Sequence, residues 1–225
     1  SWELKQYLVE LTKTKRKYFF RPNFWPNTPD ILTEVLQSGG RPAFLIRHTL
    51  AATLGSNYGI YGPAFELVDN RAREFGSEEY LDSEKYQLRS WNLNEPHSLK
   101  DYITRVNKIR KENSALQSTN NIFFHQTDNE QLIAYSKQSS DKRNIILVVV
   151  NLDPNHTHSG WLNLSLERLG IGWDEGFQVF DMLSDSWYIW NGPRNYVELN
   201  PHIAPAHIFK VRRKVRTEED FDYYL

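Results

Sequence analysis

The hydrophobic period of the chain changes near residue 118, and that change decides most of what it can fold into. Before it, apolar residues recur at helical spacing. Leu4, Tyr7, Leu8 and Leu11 share one face of a first helix. KYFFRPNFW (17–25) reads as extended, with Pro22 and Pro26 limiting any helix there. Thr28 reads as an N-cap and Pro29 as a first helical residue, with Ile31, Leu32, Val35 and Leu36 on one face. Gly39-Gly40 stops that helix, and the apolar run 42–54 reads as a second, buried one. YGIYGPAFEL (58–67) reads as a strand. A polar connection over 69–97 follows, too long for a bland loop and too aromatic for disorder. Ser98 and Asp101 open a last helix through Tyr102, Val106 and Ile109.

After residue 118 the pattern is short strands broken by turn residues: NIFFHQ, QLIAYSK, NIILVVVNL, SGWLNLSL, FQVFDML, SWYIWN, YVELN and HIFKVRR. Strands so spaced predict an antiparallel sandwich. NIILVVVNL is apolar without alternation, so it is expected at the centre, covered on both faces. The C-terminal RRKVRTEEDFDYYL reads as a surface tail that docks back by its aromatics. The first part offers only two parallel strands, which cannot bury both their faces. Its length falls well short of the roughly 250 residues of an α/β barrel. It is therefore either a small α/β unit or the last quarter of a barrel.

The charges nearly cancel, 27 basic against 28 acidic, which argues against a grip on nucleic acid or an anionic membrane. No apolar run is long enough to span a bilayer, and the first residues lack the order of a signal peptide. Cysteine is absent, which excludes disulfides and thiolate metal sites and fits a reducing cytoplasm. No cofactor or metal is expected. His156 and His158 share a face but lack a third ligand, and His202 and His207 read as structural.

Two stretches carry candidate chemistry. Asp30, in FWPNTPDIL, follows a strand and precedes a helix. It is either a helix-capping carboxylate or a catalytic one at a barrel rim. GSEEYLDSEKYQ (76–87) packs acidic residues, one lysine and two tyrosines into a short loop. It is either a solvated surface or a rim over a polar ligand, with Lys85 donating to hydroxyls or phosphate and Tyr86 packing on a ring.

The strings FFRPNFWPNTPDIL, GGRPAFLIRHTLAATL, YGIYGPAFEL and GSEEYLDSEKYQ, in that order, closely resemble the maltosyltransferase branch of the α-amylase clan. That branch extends α-1,4-glucans from α-maltose 1-phosphate. The resemblance is specific over residues 15–117 and looser beyond. It implies α/β plus all-β architecture: 1–117 as the C-terminal portion of a (β/α)8 barrel and 118–225 as an antiparallel β-sandwich. It implies that Asp30 is the clan's third, transition-state-stabilising carboxylate, and that Lys85 and Tyr86 contact the maltosyl unit. Other clan members carry Asn-His-Asp where this chain has Asn27-Thr28-Pro29-Asp30. It also implies that the nucleophile and acid/base lie upstream of this chain, that the chain alone is inactive, and that the full-length enzyme is a homodimer. Two alternatives stay open. One is another clan enzyme on α-glucosides, such as a trehalose-forming isomerase. The other is a non-catalytic α-glucan-binding module using Trp161, Trp173, Trp187, Tyr188 and Trp190, whose rings could instead fill the sandwich core.

Overall fold

The computed structural model describes residues 2–213, so the tail beyond Arg213 lies outside the described residues. Helix α1 (Trp2–Lys13) buries Leu8 and Leu11 and leaves Tyr7 exposed. Strand β1 is only Asn23–Phe24, and β2 only Asn57–Tyr58. They pair in parallel, Asn23 opposite Asn57 and Phe24 opposite Tyr58. Between them runs α2 (Glu34–Leu54), broken at Gly40, whose φ of 53° and ψ of −156° leave the helix before Pro42 restarts it. This is the predicted helix stop and restart. Short α3 (Gly62–Glu66) follows β2, and α4 spans Lys100–Glu112.

Three local expectations fail for identifiable reasons. No helix starts at Thr28–Pro29. Thr28 and Ile31 exchange both backbone hydrogen bonds (3.1 and 3.2 Å), and the Leu32 N–H goes to the Glu78 carbonyl at 2.6 Å. Those amides are committed to a tight turn, for which the fixed φ of proline is as well suited as for a first helical residue. The helix begins only after Thr33. Residues 17–25 are mostly not strand, because Thr14 caps a 3-10 turn at Lys15–Tyr18. Residues 58–67 leave the sheet after Tyr58, because Pro63 sits at the start of α3.

All eight predicted β segments form: β3 (Ile122–Thr127), β4 (Leu132–Gln138), β5 (Ile145–Asn151), β6 (His158–Asn163), β7 (Gly176–Asp181), β8 (Ser186–Asn191), β9 (Arg194–Leu199) and β10 (Ala206–Arg212). Helix α5 (Leu166–Leu169) interrupts the series. The order is β8-β7-β10-β5-β4-β3-β6-β9, antiparallel throughout. β3 pairs with β4 through its first half and with β6 through its end, so the sheet folds over on itself. Leu147, Val149, Val179 and Phe209 meet Leu162, Val197 and Leu199 in the core between the two layers.

β5 is buried at every residue, as its unbroken apolar run requires. Its other face, Ile146, Val148 and Val150, joins Leu8, Leu11, Ile46, Leu50, Val106 and Ile109 in a second core. The helices and the sheet share this second core. The carbonyls at the end of α2 find cationic donors: Lys137 Nζ bonds the Thr53 and Leu54 carbonyls at 3.2 and 3.3 Å, and Arg110 bonds those of Ala52 and Ser56. These contacts fix the C-terminal end of α2 against β4 and α4.

Candidate active-site rim

The loops leaving the C-terminal ends of β1 and β2 lie side by side, and a buried asparagine joins them. Asn27 Oδ1 accepts the Tyr61 N–H at 2.9 Å. Its Nδ2 donates to the Tyr61 carbonyl at 3.3 Å and to the Tyr80 hydroxyl at 2.8 Å. One side chain thus connects the β1 loop, the β2 loop and the 76–87 segment. Burial pushes the Tyr80 phenol up to about 12, so it stays a neutral partner. Gly59 permits the close approach of the two loops: a Cβ there would stand 2.5 Å from the Trp25 indole.

Asp30 projects from the tip of the Thr28–Ile31 turn. Lys85 Nζ is 3.2 Å from Asp30 Oδ1, and 5.3 Å from the centroid of the Tyr86 ring. The Tyr86 hydroxyl reaches Glu79 at 3.4 Å. The fold brings together the three residues singled out from sequence, across some 55 positions of chain. The side chains of Asp30 and Lys85 are 58% and 46% exposed. A pair so open contributes little to folding, and its partners are available to a ligand. The bond to Asp30 and the contact with Tyr86 hold the Lys85 ammonium above its ordinary value, so it stays charged. Helix capping is not the role of Asp30, since it lies outside the helix.

A second polar chain supports this rim, and the sequence did not reveal it. Buried Asp69 accepts from Arg71 at 3.1 Å and Arg89 at 2.8 Å. Arg89 stacks on Trp91 at 3.8 Å, and Trp91 Nε1 donates to Glu84 at 3.1 Å. The Tyr61 hydroxyl also donates to the Glu84 carboxylate. Those two donors hold the Glu84 carboxyl below its ordinary value, and burial with the Glu84 charge pushes the Tyr61 phenol up. Asp69, Arg89 and Trp91 lie in the long 69–97 connection, whose aromatic content was the one available signal. Asn27 was visible only as part of N-T-P-D.

Elsewhere, His156 and His158 both hydrogen-bond the Asp153 carboxylate, at 2.9 and 3.0 Å. His207 does the same with Asp181 at 2.9 Å. Among the described residues no cluster of three or more ligands suits a metal ion. The candidate aromatic platform is divided. Trp161 sits with Tyr196, Trp187 lies on Phe180, and Trp190 packs on Phe177 and Phe209.

A family model described as GLGE, C-terminal, matches residues 124–211. The chain is 52% identical over 215 residues to the alpha-1,4-glucan:maltose-1-phosphate maltosyltransferase of Chlorobaculum tepidum, covering 93% of this chain and 32% of that protein. It is 49% identical over 209 residues to the enzyme of the same name from Methylacidiphilum infernorum, covering 93% and 31%. This chain is a relative of the maltosyltransferases. It spans about a third of the length of the curated maltosyltransferases it matches. Among solved structures it resembles the α-amylase of Anoxybacillus, with a TM-score of 0.66 and 13% identity over 96% of this chain and 42% of that one. It also resembles the gamma-CGTase of Bacillus clarkii, with a TM-score of 0.56 and 14% identity over 90% and 28%. At such identities the likeness is one of fold: the helices and antiparallel sheet of this maltosyltransferase relative are arranged as in α-amylases.

Proposed function

We propose that this chain is the C-terminal part of a maltosyltransferase that moves maltosyl units from α-maltose 1-phosphate to the non-reducing ends of α-1,4-glucans. The observation that carries the reading is the convergence of Asp30, Lys85 and Tyr86 beyond the ends of two parallel strands. In a (β/α)8 barrel that end is the catalytic one. In this reading β1, α2 and β2 form one βαβ unit of such a barrel, and the β3–β10 domain braces it.

A retaining transferase forms and breaks a glycosyl ester through an oxocarbenium-like state, with two carboxyls about 5–5.5 Å apart. Those two come from outside the matched third. Asp30 has a different role, accepting hydrogen bonds from ring hydroxyls and strengthening them as positive charge develops on the sugar. Lys85 keeps that carboxylate oriented and donates to a sugar hydroxyl, while Tyr86 offers an aromatic face to the second glucose. No step requires a metal or an organic cofactor. The natural enzyme is taken to work as a homodimer in the cytoplasm. The test is phosphate release from α-maltose 1-phosphate by the natural full-length polypeptide, which Asp30→Asn abolishes without lowering its melting temperature. A variant that stays active and melts earlier would make Asp30 a structural residue.

A further inference from the structure

One cavity in the described residues gathers positive charge from three separate elements and has no carboxylate in its lining. Its volume is ≈ 570 Å³, within the usual range for small-molecule sites. It lies where the end of α1, the Ser114–Gln117 turn, β3, β4 and α5 meet, and shares no residue with the Asp30 rim. Lys13 comes from the last turn of α1, Arg168 from α5, and Lys142 from the β4–β5 turn at a left-handed φ of 58°. None of the three makes an ion pair among the described residues. Arg213 stands at the rim, donating to the Lys142 carbonyl at 2.6 Å.

The arrangement is held in place. Gln138 bonds the Arg168 carbonyl, and the Arg168 guanidinium lies 5.1 Å from the centroid of the Phe123 ring. Partial burial, Arg168 and Lys17 together hold the Lys13 ammonium below its ordinary value. Like charges brought together with no carboxylate in the described lining attract an anion, and in a chain of net charge −1 they are not a general excess of base. The lining adds Ser114, Ser118, Ser139 and Ser140 beside the apolar Ile122 and Phe123. Serine hydroxyls beside a cationic triplet suit a ligand that carries hydroxyls as well as a phosphate.

We propose that this pocket binds a phosphate monoester of a small polyol, with Lys13, Lys142 and Arg168 on the phosphate and Ser118 and Ser140 on the polyol hydroxyls. The site is independent of the maltosyltransferase reading and would bridge α1 to the β3–β10 domain.

The test is calorimetric titration of the 225-residue chain at low ionic strength with inorganic phosphate and, separately, glucose 6-phosphate. Saturable uptake is expected, tighter for the sugar phosphate. Lys13→Gln with Arg168→Gln is expected to weaken it at least about tenfold, or ~1.4 kcal/mol. Both side chains are exposed, so the double variant is expected to melt with the parent. No uptake, an unchanged affinity in the double variant, or the same heats from sodium chloride at equal ionic strength would overturn the site. Equal affinity for the two phosphates would overturn its polyol half.

Discussion

Asn27→Ala tests whether the rim is built as described. Asn27 is 1% exposed, and its amide makes three hydrogen bonds that tie the β1 loop to the β2 loop and to the 76–87 segment. A neutral hydrogen bond contributes about 1 kcal/mol net, and stranding a buried partner such as the Tyr61 N–H costs more. Three lost bonds give roughly 3 kcal/mol. In a chain of this size each kcal/mol moves the melting temperature by about 2–4 °C, so a fall of roughly 6–12 °C is expected by circular dichroism. Asn27→Asp keeps the acceptor for the Tyr61 N–H but loses both donors and buries a charge, so it should be at least as damaging. A melting temperature within about 2 °C of the parent for Asn27→Ala would refute the argument.

Other consequences follow from buried ionisable groups. Burial holds His48 and His125 down to about 4, so both are neutral in the fold at neutral pH. Between pH 6.5 and 4 the unfolded chain takes up protons that the fold refuses, so stability should fall there by up to roughly 3 kcal/mol per histidine. His125→Gln should remove part of that acid dependence in urea titrations. Lys137 acts in the same direction, higher on the pH scale. Burial and Arg110 push its ammonium down to about 7, so its penalty is full below pH 7 and fades as pH rises toward 10.5. Stability should therefore climb above pH 7 at up to about 1.4 kcal/mol per unit, and Lys137→Met should flatten that slope. Lys85→Met in the full-length enzyme should raise KM for the donor and leave the melting temperature unchanged, since its bond to Asp30 is solvent-exposed.

The β half of the fold was legible because its signal is local. Alternation and turn residues mark each strand, and the unbroken NIILVVVNL run marked the strand buried on both faces. The helices from Pro42 onward and from Lys100 were legible for the same reason. The errors cluster in residues 17–33 and 59–66. There proline serves turn and helix start equally well, and the outcome rests on long-range bonds such as Leu32 to Glu78. The site divides the same way. Asp30, Lys85 and Tyr86 stood out through their strings and the resemblance those strings carry. Asn27, Tyr61, Glu84 and Trp91 act through contacts spanning up to 53 residues, which no local pattern encodes.

The central claim is that Asp30 acts on sugar and not on the fold. The most direct measurement is phosphate release from α-maltose 1-phosphate, with glycogen as acceptor, by the natural full-length polypeptide and its Asp30→Asn variant. The account predicts release by the parent, a loss of about 10²-fold or more in the variant, and coincident melting curves. Release that survives the substitution would contradict it.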